Sequence, residues 1–216
     1  KFHKANFGTG GAQMHVYDVN GDGRNDVVTG LAAHGYGLAW FEQLAEKDEQ
    51  GNPKFTAHTF VNKEPKENKY GVAFSQPHAM DLVDMNGDGL KDLVTGKRFW
   101  AHGPKGDPEP NAPAVLYWFE LVRHADKSVD WVPHLADGDS GIGRGLAVQD
   151  INGDGAINIT DITMIGQMTA ITLFRKIPAG DINRDSLTGD VDAGILRDYL
   201  DALYRGLNVS AEEQAV

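Results

Sequence analysis

The chain of 216 residues contains no cysteine, which excludes disulfide bonds, zinc–thiolate sites and cysteine nucleophiles. It also lacks any apolar run of the roughly 18 residues that a transmembrane helix needs, so no membrane span is predicted. Basic residues are few: 20 Lys and Arg face 31 Asp and Glu, and the resulting net charge of −11 argues against nucleic-acid binding. Glycine is abundant, with 26 residues, and indicates many turns.

A six-residue motif, Asp-x-Asn-Gly-Asp-Gly, occurs three times at a constant spacing of 66 residues. The copies occupy 18–23, 84–89 and 150–155. More of the sequence recurs around the first two copies: a Val-Thr-Gly triplet follows each of them, and a Trp-Phe-Glu triplet follows later. A constant spacing of this kind indicates a repeat architecture.

Short runs rich in β-branched and aromatic residues lie between these motifs, separated by Gly, Pro and Asn. They predict four strands in each repeat. A four-stranded repeat that cannot bury both faces alone is typical of a β-propeller blade. Two blades do not close a propeller, so we expect the chain to be a piece of something larger. The predicted strands are 14–19, 26–30, 37–44 and 54–60, then 78–85, 92–97, 115–121 and 131–134.

The motif carries oxygen-bearing side chains at alternate positions and a glycine at the sixth, which together predict a calcium site. The alternative is an Asx-rich surface turn without metal. A plain turn would not need the further carboxylate found at the ninth position, so we favour calcium. The predicted ligands are Asp18, Asn20, Asp22, the Arg24 carbonyl and Asp26 in the first loop, and Asp84, Asn86, Asp88, the Leu90 carbonyl and Asp92 in the second.

These loops resemble those of FG-GAP (VCBS-type) repeats, in which an Asp-x-Asx-x-Asp-Gly-x-x-Asp segment binds calcium between two strands of a propeller blade. The resemblance covers about residues 1–149. It implies a mainly β fold, a partial β-propeller of four-stranded blades. The longer phrases at 37–42 and 97–104 are similar to a subfamily of large secreted bacterial proteins.

The third loop begins like the others but has Asn at its ninth position and Asp at its twelfth, and apolar residues then recur with a helical period. A twelve-residue loop that enters a helix is typical of an EF-hand-type calcium site. A fourth such loop starts at Asp181. The predicted ligands are Asp150, Asn152, Asp154, the Ala156 carbonyl, Asn158 and Asp161, then Asp181, Asn183, Asp185, the Leu187 carbonyl and Asp192.

Two such half-EF-hands resemble a type I dockerin, a duplicated loop–helix module that docks onto a cohesin. The resemblance covers about residues 149–206, and it implies a small all-α, EF-hand-like module at 150–206, which leaves a polar tail at 207–216 that we expect to be disordered. Loop positions 10 and 11 meet the cohesin in dockerins. By resemblance the partner-binding residues are Ile159, Thr160, Asp190 and Val191.

The acidity of the chain is concentrated in the predicted loops. Leaving out their twelve carboxylates leaves 19 acidic residues against 20 basic ones. The loops would repel themselves without cations, so we expect three to four bound calcium ions. Calcium would then stabilise a secreted chain that has no disulfides.

The sequence therefore predicts a non-catalytic, secreted or cell-surface, bacterial-type interaction protein that docks a cohesin-like module in a polysaccharide-related setting. The alternative is a fragment of an extracellular polysaccharide-degrading enzyme of the glycoside hydrolase type that carries a dockerin. A further alternative is a hybrid or truncated junction at Asp150, with one loop serving both units. We predict no catalytic residues. His34 and His102, which lie in matching Gly-rich loops, are interpreted as packing elements, and the loop at 104–113 as a rigid surface excursion.

Overall fold

The computed structural model describes residues 7–8, 10–99, 102–139, 141–143, 146–150 and 155–158. The chain divides into two compact units, Lys1–Ala147 and Val148–Val216. The first unit contains two four-stranded antiparallel sheets, and in each sheet the strands follow one another in chain order. The described part of the second unit is short and contains no strand or helix.

Each predicted strand is present, and its ends lie within three residues of the predicted ones. A three-residue 3-10 turn, Pro65–Glu67, lies between the two sheets in the sequence. The strands of the first sheet are β1 (Met14–Tyr17), β2 (Asp26–Gly30), β3 (Leu38–Lys47) and β4 (Pro53–Val61), and those of the second are β5 (Met80–Val83), β6 (Asp92–Gly96), β7 (Leu116–Arg123) and β8 (Val129–Asp137).

The two sheets repeat each other in register. Val28 pairs with Trp40 between β2 and β3, and Val94 pairs with Trp118 between β6 and β7. The first partners are 66 residues apart and the second partners 78, so the connection from β6 to β7 is twelve residues longer than that from β2 to β3. Both repeats also carry a register shift at the start of the third strand.

The second strands, β2 and β6, are buried along their whole length because they are inner strands covered on both faces. Their Val and Leu side chains join one hydrophobic core that includes residues of both sheets, among them Trp40, Met80, Phe119 and Trp131. The core holds the second strands firmly, and the motif loops end where these strands begin.

The predicted fold class, a β-propeller part with a small all-α module, is wrong for the part of the chain that the structure describes. That part is all-β and has no α-helix. The helical prediction came from an apolar period in a segment rich in Ile and Thr, β-branched residues that disfavour helices slightly. The segments predicted as helices lie beyond Asn158, outside the described residues. None of the described helical segments has the length and apolar character to cross a membrane.

Candidate metal centre

The loop between β1 and β2 is organised around the carboxylate of Asp18. Its Oδ1 accepts hydrogen bonds from the backbone N–H groups of Gly21 at 2.8 Å and Asp22 at 3.0 Å. Its Oδ2 accepts one from Gly23 at 2.9 Å. Both glycines have positive φ angles, +73° and +85°, in the left-handed region that glycine adopts without a steric penalty. The glycines of the motif therefore let the loop close on its first residue.

The loop between β5 and β6 repeats this arrangement. Asp84 Oδ1 accepts from the N–H groups of Gly87 at 2.7 Å and Asp88 at 3.2 Å, and its Oδ2 accepts from Gly89 at 2.9 Å. The φ angles of the two glycines, +78° and +86°, are again positive. The sequence repeat is therefore a repeat of hydrogen bonds as well.

The carboxylates at the ninth loop position, Asp26 and Asp92, are completely buried. Each one ties the second residue of its loop to the third strand of its sheet by accepting one backbone N–H bond on each oxygen. The donors, at 2.8–2.9 Å, are Val19 and Gln43 for Asp26, and Met85 and Leu121 for Asp92.

Burial raises the pKa of Asp26, and it raises the pKa of Asp92 to about 6. The two backbone hydrogen bonds oppose this rise, while the neighbouring carboxylates of Asp84 and Asp88 add to it for Asp92. A cation among these carboxylates would favour their charged forms. The ninth position therefore combines full burial with negative neighbours, a setting in which a positive charge has a strong effect.

The first loop differs from the second in one charge. The Arg24 guanidinium is paired with the Asp22 carboxylate, and its Nε donates to the Gln43 carbonyl at 2.7 Å. The equivalent of Arg24 in the second loop is Leu90, whose side chain carries no charge. The carboxylate of Asp88 consequently lacks the partner that Asp22 has.

A relay that the sequence analysis did not predict joins each loop to its sheet. Asn20 Nδ2 donates to Glu42 Oε1 at 3.2 Å, and the other oxygen of Glu42 lies 2.9 Å from His58 Nε2. The His58 ring is stacked on Trp40 with their centroids 4.3 Å apart. The repeated Trp-Phe-Glu triplet was the available signal. The second sheet has the same relay through Asn86, Glu120, His134 and Trp118.

The third loop is described in part. The Gly155 N–H donates to Asp150 Oδ2 at 2.9 Å, and Gly155 has φ +87°, so this bond matches those of Gly23 and Gly89. Ala156 and Asn158 also belong to the described residues. The predicted residues outside them are Asn152, Asp154, Ile159, Thr160, Asp161, Asp181, Asn183, Asp185, Leu187, Asp190, Val191 and Asp192.

A second cluster was missed. Among the described residues, one group of three histidine or acidic side chains has its ligand atoms all within 4.8 Å of one another: His34, His102 and Asp107. The loop carboxylates are more widely spaced, as for opposite ligands of calcium, which lie about 5 Å apart. Interpreting both histidines as packing elements was wrong, because the side chain of His34 is 36% exposed and that of His102 is 62% exposed. Their matching loops were the signal.

The raised pKa of Asp92 predicts a pH effect on the calcium-free protein. The folded state binds more protons than the unfolded state between pH 4 and 6, so Asp92 should lower the free energy of unfolding as the pH rises through this range. The full effect is about 3 kcal/mol. Urea denaturation in chelator should show that the difference between the wild type and Asp92→Asn changes over this range. A constant difference would contradict the prediction.

The comparisons with known proteins returned no match: no protein-family model, curated protein or solved structure is significantly similar to this chain. The resemblance to FG-GAP repeats and to dockerins therefore stays a prediction made from the motifs. The function has to be argued from the loops themselves.

Proposed function

We propose that this chain is a calcium-binding interaction module whose two Asp-rich loops, 18–26 and 84–92, each hold one Ca²⁺ ion. The observation that carries the proposal is that the two loops form the same hydrogen bonds, around the first and ninth carboxylates, although they lie 66 residues apart. A turn selected only for its shape has no use for a buried carboxylate next to two others.

The donor set suits calcium. Each loop offers three carboxylates, one Asn side chain and a backbone carbonyl, all oxygen donors, and calcium takes six to eight oxygens in flexible geometry. The hydrogen bonds from backbone N–H groups keep the first carboxylate oriented while its remaining lone pairs stay available. The relay from Asn20 through Glu42 to His58 is an outer-shell support of the kind that orients metal ligands.

The biological role follows from where calcium is abundant. Extracellular calcium modules bind with dissociation constants of roughly 10⁻⁴–10⁻³ M, and a chain without cysteine gains from an ion the stabilisation that disulfides give elsewhere. We therefore propose a secreted or cell-surface attachment role in which the sheets act as propeller-type blades. The cohesin-type contact stays a prediction, because its residues lie outside the described part. Glu42 and Glu120 lie on different sheets, each engaged by Asn and His, so they do not support a glycosidase pair.

Calorimetric titration of chelator-treated protein tests this proposal loop by loop. Asp18→Asn and Asp84→Asn should each remove one calcium-binding event, because each substitution removes one charge and one acceptor from the carboxylate at the centre of its loop. Arg24→Leu should tighten calcium binding at the first loop, since Asp22 loses its competing cation. Asp48→Asn is the matched control: this carboxylate also accepts backbone N–H bonds in a turn, from Gln50 and Asn52, but lies outside the loops. An unchanged titration in both loop variants would contradict the proposal.

A further inference from the structure

We propose that His34, His102 and Asp107 bind a divalent first-row transition metal ion of the zinc class, at a site separate from the calcium loops. The three residues lie on the two loops that follow β2 and β6. Both loops belong to the first unit. Two imidazoles and one carboxylate suit zinc, iron, cobalt or nickel, whereas calcium prefers oxygen donors alone.

The distances fit one shared ion. Asp107 Oδ1 lies 3.2 Å from His34 Nδ1 and 2.9 Å from His102 Nδ1. Two ligands that are each about 2.1 Å from a zinc ion and subtend a tetrahedral angle lie about 3.4 Å apart. A small outward movement of the rings would therefore admit the ion. The alternative is that both rings simply donate Nδ1–H bonds to the same carboxylate oxygen.

The surrounding residues hold these three groups in place. The His102 backbone N–H donates to Asp107 Oδ2 at 2.8 Å, which orients the carboxylate. The chain returns tightly over His102: a Cβ at Gly106 would lie 2.3 Å from the His102 carbonyl oxygen, so only glycine fits there. The rings of His34 and His102 are stacked with centroids 4.5 Å apart, and His78 packs edge-on against His34 at 5.3 Å.

Buried polar atoms next to this loop are an independent sign of a ligand. The Lys97 Nζ and Gln76 Oε1 atoms are buried without a hydrogen-bond partner among the described residues, and their side chains are almost fully inaccessible. Gln76 Nε2 donates to the carbonyl of Pro108, the residue after Asp107, at 3.3 Å. Native proteins pair almost all such atoms, so each unpaired one asks for a partner.

The charges suggest what completes the site. The acidic groups that act on the Lys97 ammonium are Glu109 and Asp107, so the three charges sum to −1. A divalent ion would bring the sum to +1 and favour one anionic ligand. Three protein ligands and one open position are the arrangement of catalytic rather than structural zinc sites. The exposure of His102 leaves that position open to solvent.

Calorimetric titration with Zn²⁺ alone, in buffer that keeps the Asp-rich loops saturated with Ca²⁺, tests the proposal. We expect one zinc ion per chain in the wild type. His34→Ala, His102→Ala and Asp107→Asn should each weaken it by more than about 100-fold, the upper end for loss of an outer-shell partner. His124→Ala is the matched control, because His124 lies 2.9 Å from Asp130 without a second imidazole, and it should bind zinc like the wild type.

Visible absorption of the Co²⁺-substituted wild type provides a measurement that does not depend on how the variants fold. Intense d–d bands indicate a four-coordinate site, and these bands should disappear when zinc is added. Absence of these bands, zinc binding that survives all three substitutions, or an equal loss in His124→Ala would each overturn the proposal and leave a hydrogen-bonded His–Asp cluster.

Discussion

Replacing Asp92 with alanine is expected to lower the free energy of unfolding of the calcium-free protein by about 2–6 kcal/mol. The carboxylate is fully buried and accepts the N–H groups of Met85 and Leu121. Alanine would leave both donors buried without a partner, at about 1–3 kcal/mol each. Urea denaturation in the presence of a chelator measures this effect without any contribution from calcium binding.

Two further variants frame this result. Asp26→Ala should cause a loss of the same size, since Asp26 holds Val19 and Gln43 in the same way. Asp126→Ala should cost about 1 kcal/mol or less, because this exposed carboxylate accepts its bonds from Ser128 in a turn, where water can replace it. Similar losses in all three variants would mean that the ninth loop position has no special structural role.

Calcium at saturating concentration should raise the free energy of unfolding by about 5 kcal/mol through the two Asp-rich loops together. A ligand that binds only the folded state at 100 times its dissociation constant contributes about 2.7 kcal/mol per site. The effect is large because the loops join strands that enter the shared core, so unfolding destroys both sites. Paired urea denaturation curves with calcium and with chelator measure the difference.

The double variant Asp18→Asn/Asp84→Asn provides the control for this effect. It should retain the two sheets in chelator, because Asp26 and Asp92 still tie the loops to the third strands. Its stability should respond to calcium by about 5 kcal/mol less than the wild type. A full response in the double variant would show that the ion acts elsewhere.

The strands could be predicted from the sequence because their signals are local. The second strand of each repeat is a run of β-branched and aliphatic residues that begins at the ninth loop position, so Asp26 and Asp92 mark both the end of a loop and the start of a buried strand. The glycines of the motif likewise predict the positive φ angles that are observed. The all-α module could not be judged in the same way, because a helical period in a β-branched segment is an ambiguous signal.

The second cluster could not be predicted, because it depends on residues far apart in the chain. Asp107 lies on the connection that is twelve residues longer in the second repeat, so no repeat-equivalent acid marks it. Only the fold brings Asp107 to His34, 73 residues earlier. The relay from Glu42 to His58 similarly requires the register between β3 and β4, which includes an irregularity that the sequence does not reveal.

The most direct test of the calcium assignment is the number of ions per molecule, counted by native mass spectrometry after chelator treatment and return of calcium. We expect at least three ions in the wild type, from the two loops that are fully described and from the loop that starts at Asp150. The double variant Asp18→Asn/Asp84→Asn should hold two fewer. A wild type with no ion or one ion, or a double variant with an unchanged count, would contradict the assignment of these loops.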